Sequence, residues 1–311
     1  MVFFFLVSIV ILRLLPISFK FVNFSMHTTY ERKRTNMIHK SISIWDQTGY
    51  THDSRDGFTP TLDTYILNGN LKRPAVLICP GGGYSFTSPR EAEPIAMQFN
   101  SAGFHAFVLY YSVAPKRHPQ PLMDLSRAMC ILRHHGDEWN LDTDRIAVCG
   151  FSAGGHLAAS LGVHWNKSFL SEIPGIDLGS NRPNALILCY PVITSGKHAH
   201  VGSMENLLGD RVSDPDLLKE MSLELHIHEG TPPTFLWHTF DDAAVPLENT
   251  LFFAQALRRK NIPFELHVYP HGPHGLSLAN AETDDSGIGT FPHVATWMDL
   301  CIEWLEELRF A

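Results

Sequence analysis

A serine flanked by glycines carries the strongest chemical signal in the sequence. The run GFSAGG at residues 150–155 places Ser152 in a G-x-S-x-G pattern, after an apolar run at 146–149 and before a helical pattern with Leu157 and Leu161. In this strand–turn–helix context, small flanking residues permit a tight turn that lifts a serine side chain above the edge of a sheet. The helix start beneath the turn favours developing negative charge. The pattern predicts a nucleophilic Ser152, and its alternative interpretation is a glycine-rich turn without chemistry.

A second glycine-rich run, PGGGY at residues 80–84, directly follows an apolar run at 75–79. Three glycines let a backbone approach a substrate carbonyl oxygen and adopt conformations that other residues avoid. In enzymes with such a serine turn, a loop at this position donates a backbone N–H to the oxyanion of the reaction. The run therefore predicts an oxyanion loop, with an ordinary flexible turn as the alternative.

A nucleophilic serine needs a base, and the base needs a carboxylate to orient it. His274 follows the apolar run at 264–269, where the base is expected, and His271 is the alternative. Asp241 and Asp242 follow the preceding predicted strand, where the acid is expected. Capping or turn formation is the alternative role for both aspartates.

Strand and helix patterns alternate from about residue 38 onward, which is typical of a parallel sheet covered on both faces. Polar–apolar alternation at 41–45, together with a strand pattern at 61–67, predicts an antiparallel hairpin at one edge. Continuous apolar runs predict strands that are buried on both faces. These runs lie at 75–79, 106–110, 146–149, 185–189, 235–237 and 264–269.

Helices are predicted between the strands. The sequence SPRE at 88–91 is typical of a capping box, in which a serine hydroxyl and a glutamate carboxylate satisfy free backbone N–H groups, and its helix would end at Gly103. Residues 194–233 begin without clear periodicity, so we expect an insertion between two strands that lies over the active site. Apolar stripes predict the other helices, at 122–132, directly after Ser152, at 247–257 and at 294–308.

Charge and cysteine content restrict the partners and the compartment. The formal net charge is −8, from 32 acidic and 24 basic residues, which does not favour binding to nucleic acid. The cysteine count is odd and contains no close pair, which predicts buried thiols in a reducing compartment. We therefore expect a cytoplasmic protein. The cysteines are Cys79, Cys130, Cys149, Cys189 and Cys301.

The N-terminal segment 1–36 is predicted to be an extension of one domain at 37–311. Residues 2–12 are apolar but shorter than the roughly 20 residues that a membrane-spanning helix needs. One interpretation is a mis-called start, with Met26 or Met37 as the true one. The other is an export signal or membrane anchor within residues 1–25, in which case the protein is exported or held at a membrane.

Five motifs resemble the esterase branch of the α/β-hydrolase superfamily, close to bacterial acetylesterases, acetyl xylan esterases and hormone-sensitive-lipase-like enzymes. In chain order they are CPGGGY, YYSVAP with HPQPLMD, GFSAGGHLAA, DDAAVP and HGPHGL, within residues 79–276. The resemblance implies an α/β-hydrolase fold, with a mostly parallel central sheet flanked by helices on both faces and a small insertion over the active site. One departure is Pro80, which stands where hormone-sensitive-lipase-like relatives carry the His of HGGG, so the loop must be held in another way.

The same resemblance implies a serine carboxylic ester hydrolase that acts on a short-chain acyl ester, with an acetylated carbohydrate as one candidate. It implies Ser152 as nucleophile, Asp242 as acid and His274 as base. It also implies an oxyanion hole formed by the N–H groups of Gly82, Gly83 and Ala153.

No cofactor and no metal is expected. The pairs His198 with His200 and His226 with His228 have a spacing that metals can use, but no third ligand accompanies either pair. The expected partner is a small-molecule ester, and the sequence leaves open whether the chain forms a homo-oligomer. Alternative functions are a peptidase or an arylformamidase on the same scaffold, and a catalytically silent binding protein that uses the same pocket.

Overall fold

A single eight-stranded sheet organises the part of the chain that the structure describes. The computed structural model describes residues 37–53, 57–285 and 287–310. The strands are β1 (Ile38–Ser43), β2 (Thr61–Ile66), β3 (Arg73–Cys79), β4 (His105–Tyr110), β5 (Leu141–Phe151), β6 (Ala185–Cys189), β7 (Thr234–Thr239) and β8 (Phe264–Tyr269). Their spatial order is β1-β2-β4-β3-β5-β6-β7-β8.

Strands β3 to β8 run parallel to one another, whereas β2 is antiparallel both to β1 and to β4. The predicted mostly parallel sheet with an antiparallel edge hairpin is therefore confirmed. Parallel strands end at the same edge of a sheet, so the loops after β3, β5, β7 and β8 come together there. These loops contain the predicted oxyanion loop at residues 80–84, Ser152, the two candidate aspartates and the two candidate histidines.

Helices cover both faces of the sheet. They are α1 (Glu93–Ser101), α2 (Gln120–His134), α3 (Ala153–His164), α4 (Val201–Leu208), α5 (Pro215–Met221), α6 (Glu248–Arg259), α7 (Pro292–Ala295) and α8 (Trp297–Glu307). Leu77 and Cys79 of β3 pack into the core under α2, α3 and α6, while Val76 and Ile78 pack into the core under α1 and α8. Because successive side chains of a strand point to opposite faces, a continuous apolar run fills both cores.

The predicted capping box at 88–91 was wrong. Residues Pro89–Glu91 form a short 3₁₀ helix, the Ser88 side chain makes no capping hydrogen bond, and α1 begins only at Glu93. The Ser88 N–H donates instead to the carbonyl of Gly81, at 2.9 Å. The Glu91 side chain is buried rather than folded back over the turn. Tertiary contacts therefore override a local signal at this turn.

The last predicted helix is divided. Residues 292–307 form α7 and α8, which meet at Thr296. The Thr296 hydroxyl donates to the carbonyl of His293 at 2.7 Å, a local bond that bends helices. The insertion at 194–233 contains α4 and α5, which the sequence analysis did not predict.

The five cysteines are free and buried, as predicted. The extension at residues 1–36, with its two interpretations, lies outside the described residues. No helix in the described ranges is long and apolar enough to cross a membrane.

Candidate active site

Ser152 occupies a strained turn between β5 and α3. Its backbone has φ 52° and ψ −118°, a conformation that non-glycine residues rarely adopt. A Cβ atom at Gly150 would lie 2.2 Å from the carbonyl oxygen of Gly154, and one at Gly154 would lie 2.1 Å from that of Cys79. Only glycine fits at both positions, which is the steric reason for the G-x-S-x-G pattern. The turn places the Ser152 side chain at the edge of a cavity.

His274 lies in the loop after β8 and faces the serine. Its Nε2 is 2.7 Å from Ser152 Oγ, and its Nδ1 is 2.6 Å from Asp242 Oδ2. The carboxylate accepts from Nδ1–H, so Nε2 is left to accept the proton of the Ser152 hydroxyl. The ring of Tyr190 packs edge-on against the imidazole, with 5.0 Å between ring centroids. The ring of His274 is thus held in the orientation that a general base requires.

Asp242 lies in the loop after β7 with its side chain completely buried. Its Oδ1 accepts from the N–H groups of Ala244 and Val245, both at 2.9 Å. A second histidine, His238, places Nε2 3.2 Å from Oδ2. Burial opposes ionisation of Asp242, but the hydrogen bonds from His238 and His274 outweigh burial and hold its pKa below the ordinary value. Asp242 is therefore a carboxylate at neutral pH.

His238 was not predicted as a residue of the site. It is fully buried in β7, and its Nδ1 lies 2.7 Å from the hydroxyl of Thr250. Its Nε2 lies 3.0 Å from the carbonyl oxygen of Val245, so Nε2–H donates both there and towards Asp242. The only sequence signal was a histidine directly after the apolar run at 235–237.

The alternative residues lie outside this series of hydrogen bonds. Asp241 accepts from the N–H of Gly272 at 2.7 Å and lies 3.3 Å from Nδ1 of His271. The His271 side chain is 83% exposed. The structure therefore brings Ser152, His274 and Asp242 together and leaves Asp241 and His271 beside them.

The glycine run after β3 forms one wall of the site. Gly82 has φ 128°, and a Cβ there would lie 2.2 Å from the carbonyl oxygen of Phe86. Among the described residues, no group accepts a hydrogen bond from the N–H of Gly82 or Gly83. Both glycines line the cavity beside Ser152. Ala153 is the first residue of α3, so its N–H belongs to a helix N-terminus, where such groups lack intrahelical partners.

Other hydrogen bonds hold the oxyanion loop, in which Pro80 stands where hormone-sensitive-lipase-like enzymes carry a histidine. The Tyr111 hydroxyl donates to the carbonyl of Pro80 at 2.6 Å, and the Asn206 amide donates to that of Gly83 at 2.9 Å. Asn206 belongs to α4, so the insertion takes part in fixing the loop.

His156 is a further residue whose role the sequence did not indicate. Its Nδ1 accepts from the hydroxyl of Tyr84 at 2.9 Å, and its Nε2 donates to the carbonyl of Met221 at 3.0 Å. Burial lowers the pKa of His156 to about 4, so the ring is neutral at pH 7. His156 thus connects α3 to the end of the oxyanion loop and to the insertion.

A cavity of about 380 Å³ opens above Ser152. The insertion supplies three of its lining residues, His200, Gly202 and Asn206. Nδ1 of His200 accepts from the N–H of Ser203 at 3.2 Å, which leaves Nε2 of His200 as a donor. The insertion therefore contributes to the walls of the site, as predicted.

The histidine pairs with metal-like spacing make other contacts. His226 and His228 bond backbone carbonyls through Nε2, and His198 lies 3.7 Å from Glu248. Among the described residues, no group of three or more His, Cys, Asp and Glu side chains is placed to hold a metal ion.

Comparisons with known proteins identify the family of the chain. A model of the BD-FAE family matches residues 62–257. The chain is 41% identical to endo-1,4-beta-xylanase B of Butyrivibrio fibrisolvens over 77% of its length, and 31% identical to the acetylxylan esterase of Xylanibacter ruminicola over 68%. It spans 38% and 43% of the length of these two relatives.

Solved structures resemble the chain over most of its length. An acetyl ester-xyloside bifunctional hydrolase from Caldicellulosiruptor lactoaceticus has a TM-score of 0.76 and 40% identity, and the match covers 87% of this chain and 97% of that one. An alpha/beta hydrolase enzyme from a deep-sea metagenome, MGS-M1, has a TM-score of 0.66 and 33% identity, with coverage of 87% and 97%. The predicted α/β-hydrolase fold is confirmed.

Proposed function

Because the chain belongs to the BD-FAE family of α/β hydrolases, we propose that it hydrolyses carboxylic esters with Ser152 as the nucleophile. The observation that carries the proposal is the pair of hydrogen bonds at His274, 2.7 Å to Ser152 Oγ and 2.6 Å to Asp242 Oδ2. Geometry of this kind activates a serine hydroxyl, which is a weak nucleophile when it stands alone.

In the first half of the reaction, Ser152 Oγ attacks the ester carbonyl while Nε2 of His274 takes the hydroxyl proton. Nε2 then gives that proton to the alkoxide of the leaving alcohol, and an acyl group stays on Ser152. Asp242 keeps the proton of His274 on Nδ1 and stabilises the imidazolium that forms. In the second half, a water molecule gives a proton to Nε2 of His274 as it attacks the acyl carbonyl. Nε2 then returns that proton to Ser152 Oγ as the acid leaves.

The oxyanion of each tetrahedral intermediate is assigned to the N–H groups of Gly82, Gly83 and Ala153. The two glycine amides are free of partners within the described part of the chain. Donors that are already oriented need no rearrangement when charge develops, and one such donor is worth about 10²–10³ in rate.

For the substrate we propose a short acyl ester, with an acetylated carbohydrate as the candidate. Two observations support this choice. The cavity is small, about 380 Å³, and its lining includes the polar side chains of Ser85, His200 and Asn206. Two relatives are named acetylxylan esterase and acetyl ester-xyloside bifunctional hydrolase.

A panel of substrates tests the proposal. p-Nitrophenyl acetate, butyrate and octanoate, acetylated xylo-oligosaccharides and an N-acetyl amino acid amide are compared by kcat/KM, with Ser152→Ala as the control. We expect turnover of the acetyl esters, a steep fall beyond about four acyl carbons because the cavity is small, and loss of turnover in the control. Amide cleavage without ester cleavage, or full activity in Ser152→Ala, would contradict the proposal.

A further inference from the structure

Glu91 is a buried carboxylate at the active site to which the proposed mechanism gives no role. It ends the 3₁₀ helix Pro89–Glu91, is 4% exposed, and borders the cavity. Both of its oxygens accept short hydrogen bonds. Oε2 accepts from the N–H of Gly81 at 2.7 Å, and Oε1 accepts from the hydroxyl of Tyr190 at 2.6 Å.

The first of these bonds fixes the oxyanion loop. Gly81 directly precedes Gly82 and Gly83, so the direction of its N–H sets the path of the backbone that carries both proposed donors. A Cβ at Gly81 would lie 2.7 Å from Glu91 Oε2 and 2.8 Å from the carbonyl oxygen of Phe151. The loop and the carboxylate are therefore in close contact.

The second bond leads to the loop that carries the base. The phenolic oxygen of Tyr190 accepts from the N–H of Ser277 at 2.9 Å, and the Tyr190 ring packs against His274. The Ser277 hydroxyl donates to the carbonyl of Arg90 at 2.6 Å, which is the residue before Glu91. The turn with Glu91 thus joins the oxyanion loop to the His274 loop.

Burying a carboxylate at this position costs free energy. Burial raises the pKa of Glu91, while hydrogen bonds from Tyr190 and Gly81 act in the opposite direction. Removing a carboxylate from water costs several kcal/mol, and well-packed apolar side chains are often at least as stabilising. A carboxylate also accepts at both oxygens, whereas the amide of glutamine has one acceptor and one donor group. Between the N–H of Gly81 and the O–H of Tyr190, Glu91 therefore uses an acceptor on each oxygen, which a glutamine amide at this place could not supply.

We propose that Glu91 is a positioning residue that orients the oxyanion loop through Gly81 and couples it through Tyr190 to the loop of His274. The proposal rests on the proposed ester hydrolysis. It predicts that replacing Glu91 changes the binding of the oxyanion more than the binding of the ground-state ester.

The test compares Glu91→Gln, Tyr190→Phe and the double variant with the wild type. Glu93→Gln is the matched control, because Glu93 is an exposed carboxylate two residues further along the chain. For each variant kcat and KM are measured on p-nitrophenyl acetate. The inhibition constant of a trifluoromethyl ketone is measured as well, because its adduct with Ser152 carries an oxyanion. Circular dichroism and Tm report on folding.

We expect Glu91→Gln to lower kcat by about ten- to hundredfold, the scale of a displacement near 1 Å in a catalytic group. KM should change less than threefold, and affinity for the ketone should fall by the same factor as kcat/KM. Tyr190→Phe should show a smaller loss of the same kind. The double variant should be no worse than Glu91→Gln, since residues in one network are not additive. Glu93→Gln should match the wild type.

The proposal is overturned if a folded Glu91→Gln keeps kcat within twofold, or if kcat falls while affinity for the ketone is unchanged. If Glu91→Gln does not fold, Tyr190→Phe decides, and wild-type values in that variant reject the proposal. A wild-type protein that cleaves no ester rejects both proposals, whereas an active wild type with an unaffected Glu91→Gln rejects only this one.

Discussion

Two aspartate–histidine pairs lie side by side between the loops after β7 and β8, and only one of them reaches Ser152. Asp242 and His274 are 2.6 Å apart, with side chains 0% and 21% exposed. Asp241 and His271 are 3.3 Å apart, with side chains 48% and 83% exposed. The residue types, the loops and nearly the positions along the chain are the same, so composition cannot account for the difference in chemistry.

Burial and further partners separate the two pairs. Asp242 accepts from two backbone N–H groups and lies beside His238, so its carboxylate is oriented and its charge is stabilised away from water. Asp241 accepts from one backbone N–H, that of Gly272, and its histidine partner is exposed to solvent. Electrostatic interactions are stronger where water is excluded. An aspartate–histidine pair therefore becomes useful for catalysis through its surroundings, and exposed pairs of the same kind contribute little.

The largest expected effect separates the two histidines. His274→Ala should lower kcat on p-nitrophenyl acetate by as much as about 10⁶, the scale seen when a serine enzyme loses its base. His271→Ala should change kcat less than tenfold, because its ring does not contact Ser152. Steady-state kinetics of both variants measure the contrast. A larger loss in His271→Ala would reassign the base.

The aspartates provide the second contrast. Asp242→Asn should lower kcat by about 10⁴, because an amide favours the wrong tautomer of the histidine. Asp241→Asn should stay within tenfold of the wild type. The two variants are assayed in parallel with Ser152 reactivity towards a fluorophosphonate. The opposite ranking would move the acid to Asp241 and leave the Ser152–His274 pair intact.

His238 sharpens the comparison further, because no equivalent residue supports Asp241 within the described residues. His238→Asn should lower kcat by roughly tenfold, equivalent to about 1.4 kcal/mol, and should lower the free energy of unfolding by about 2 kcal/mol, as expected for a lost bond to a charged group. His39→Asn, at an exposed position of β1, is the control. Unchanged kinetics in His238→Asn would mean that the backbone donors alone orient Asp242.

The smallest effect concerns acid stability. The folded pKa of Asp242 is below its ordinary value of about 4, so its carboxylate favours the folded state above that pH and loses this contribution as pH falls. The free energy of unfolding of the wild type relative to Asp242→Asn should therefore decrease between about pH 5 and pH 2. Urea unfolding at each pH measures the difference. A difference that grows on acidification would contradict the lowered pKa.

Most of the fold could be predicted from the sequence. The apolar run at 75–79 predicted β3, because residues 75–79 are buried on both faces of the sheet and each of them had to be apolar. Local signals failed at Glu91 and at Thr296, where side chains make hydrogen bonds that sequence spacing does not show. The helices of the insertion were missed because they are short. Met204, Leu207 and Leu208 of α4 and Leu217 and Met221 of α5 do lie on one face, but each helix is too short for the repeat to show in the sequence.

The site was predictable in part. The motifs and the resemblance named Ser152, Asp242 and His274, and the structure brings these three side chains together. The supporting residues His156 and His238 were not predicted. Each is a single histidine. Its hydrogen-bond partners lie on other elements, at sequence separations that no helix or strand periodicity indicates.

The sequence by itself determined the strands of the sheet, the tight turn at Ser152 and the candidate nucleophile, because strand periodicity, glycine sterics and side-chain type are local properties. The tertiary structure decided which aspartate meets which histidine and what Glu91 contacts. Glu91 binds Gly81 at 10 residues of separation and Tyr190 at 99, and His274 meets Ser152 across 122. Such partnerships depend on where the loops converge at the carboxyl edge of the sheet, and that convergence exists only after the chain has folded.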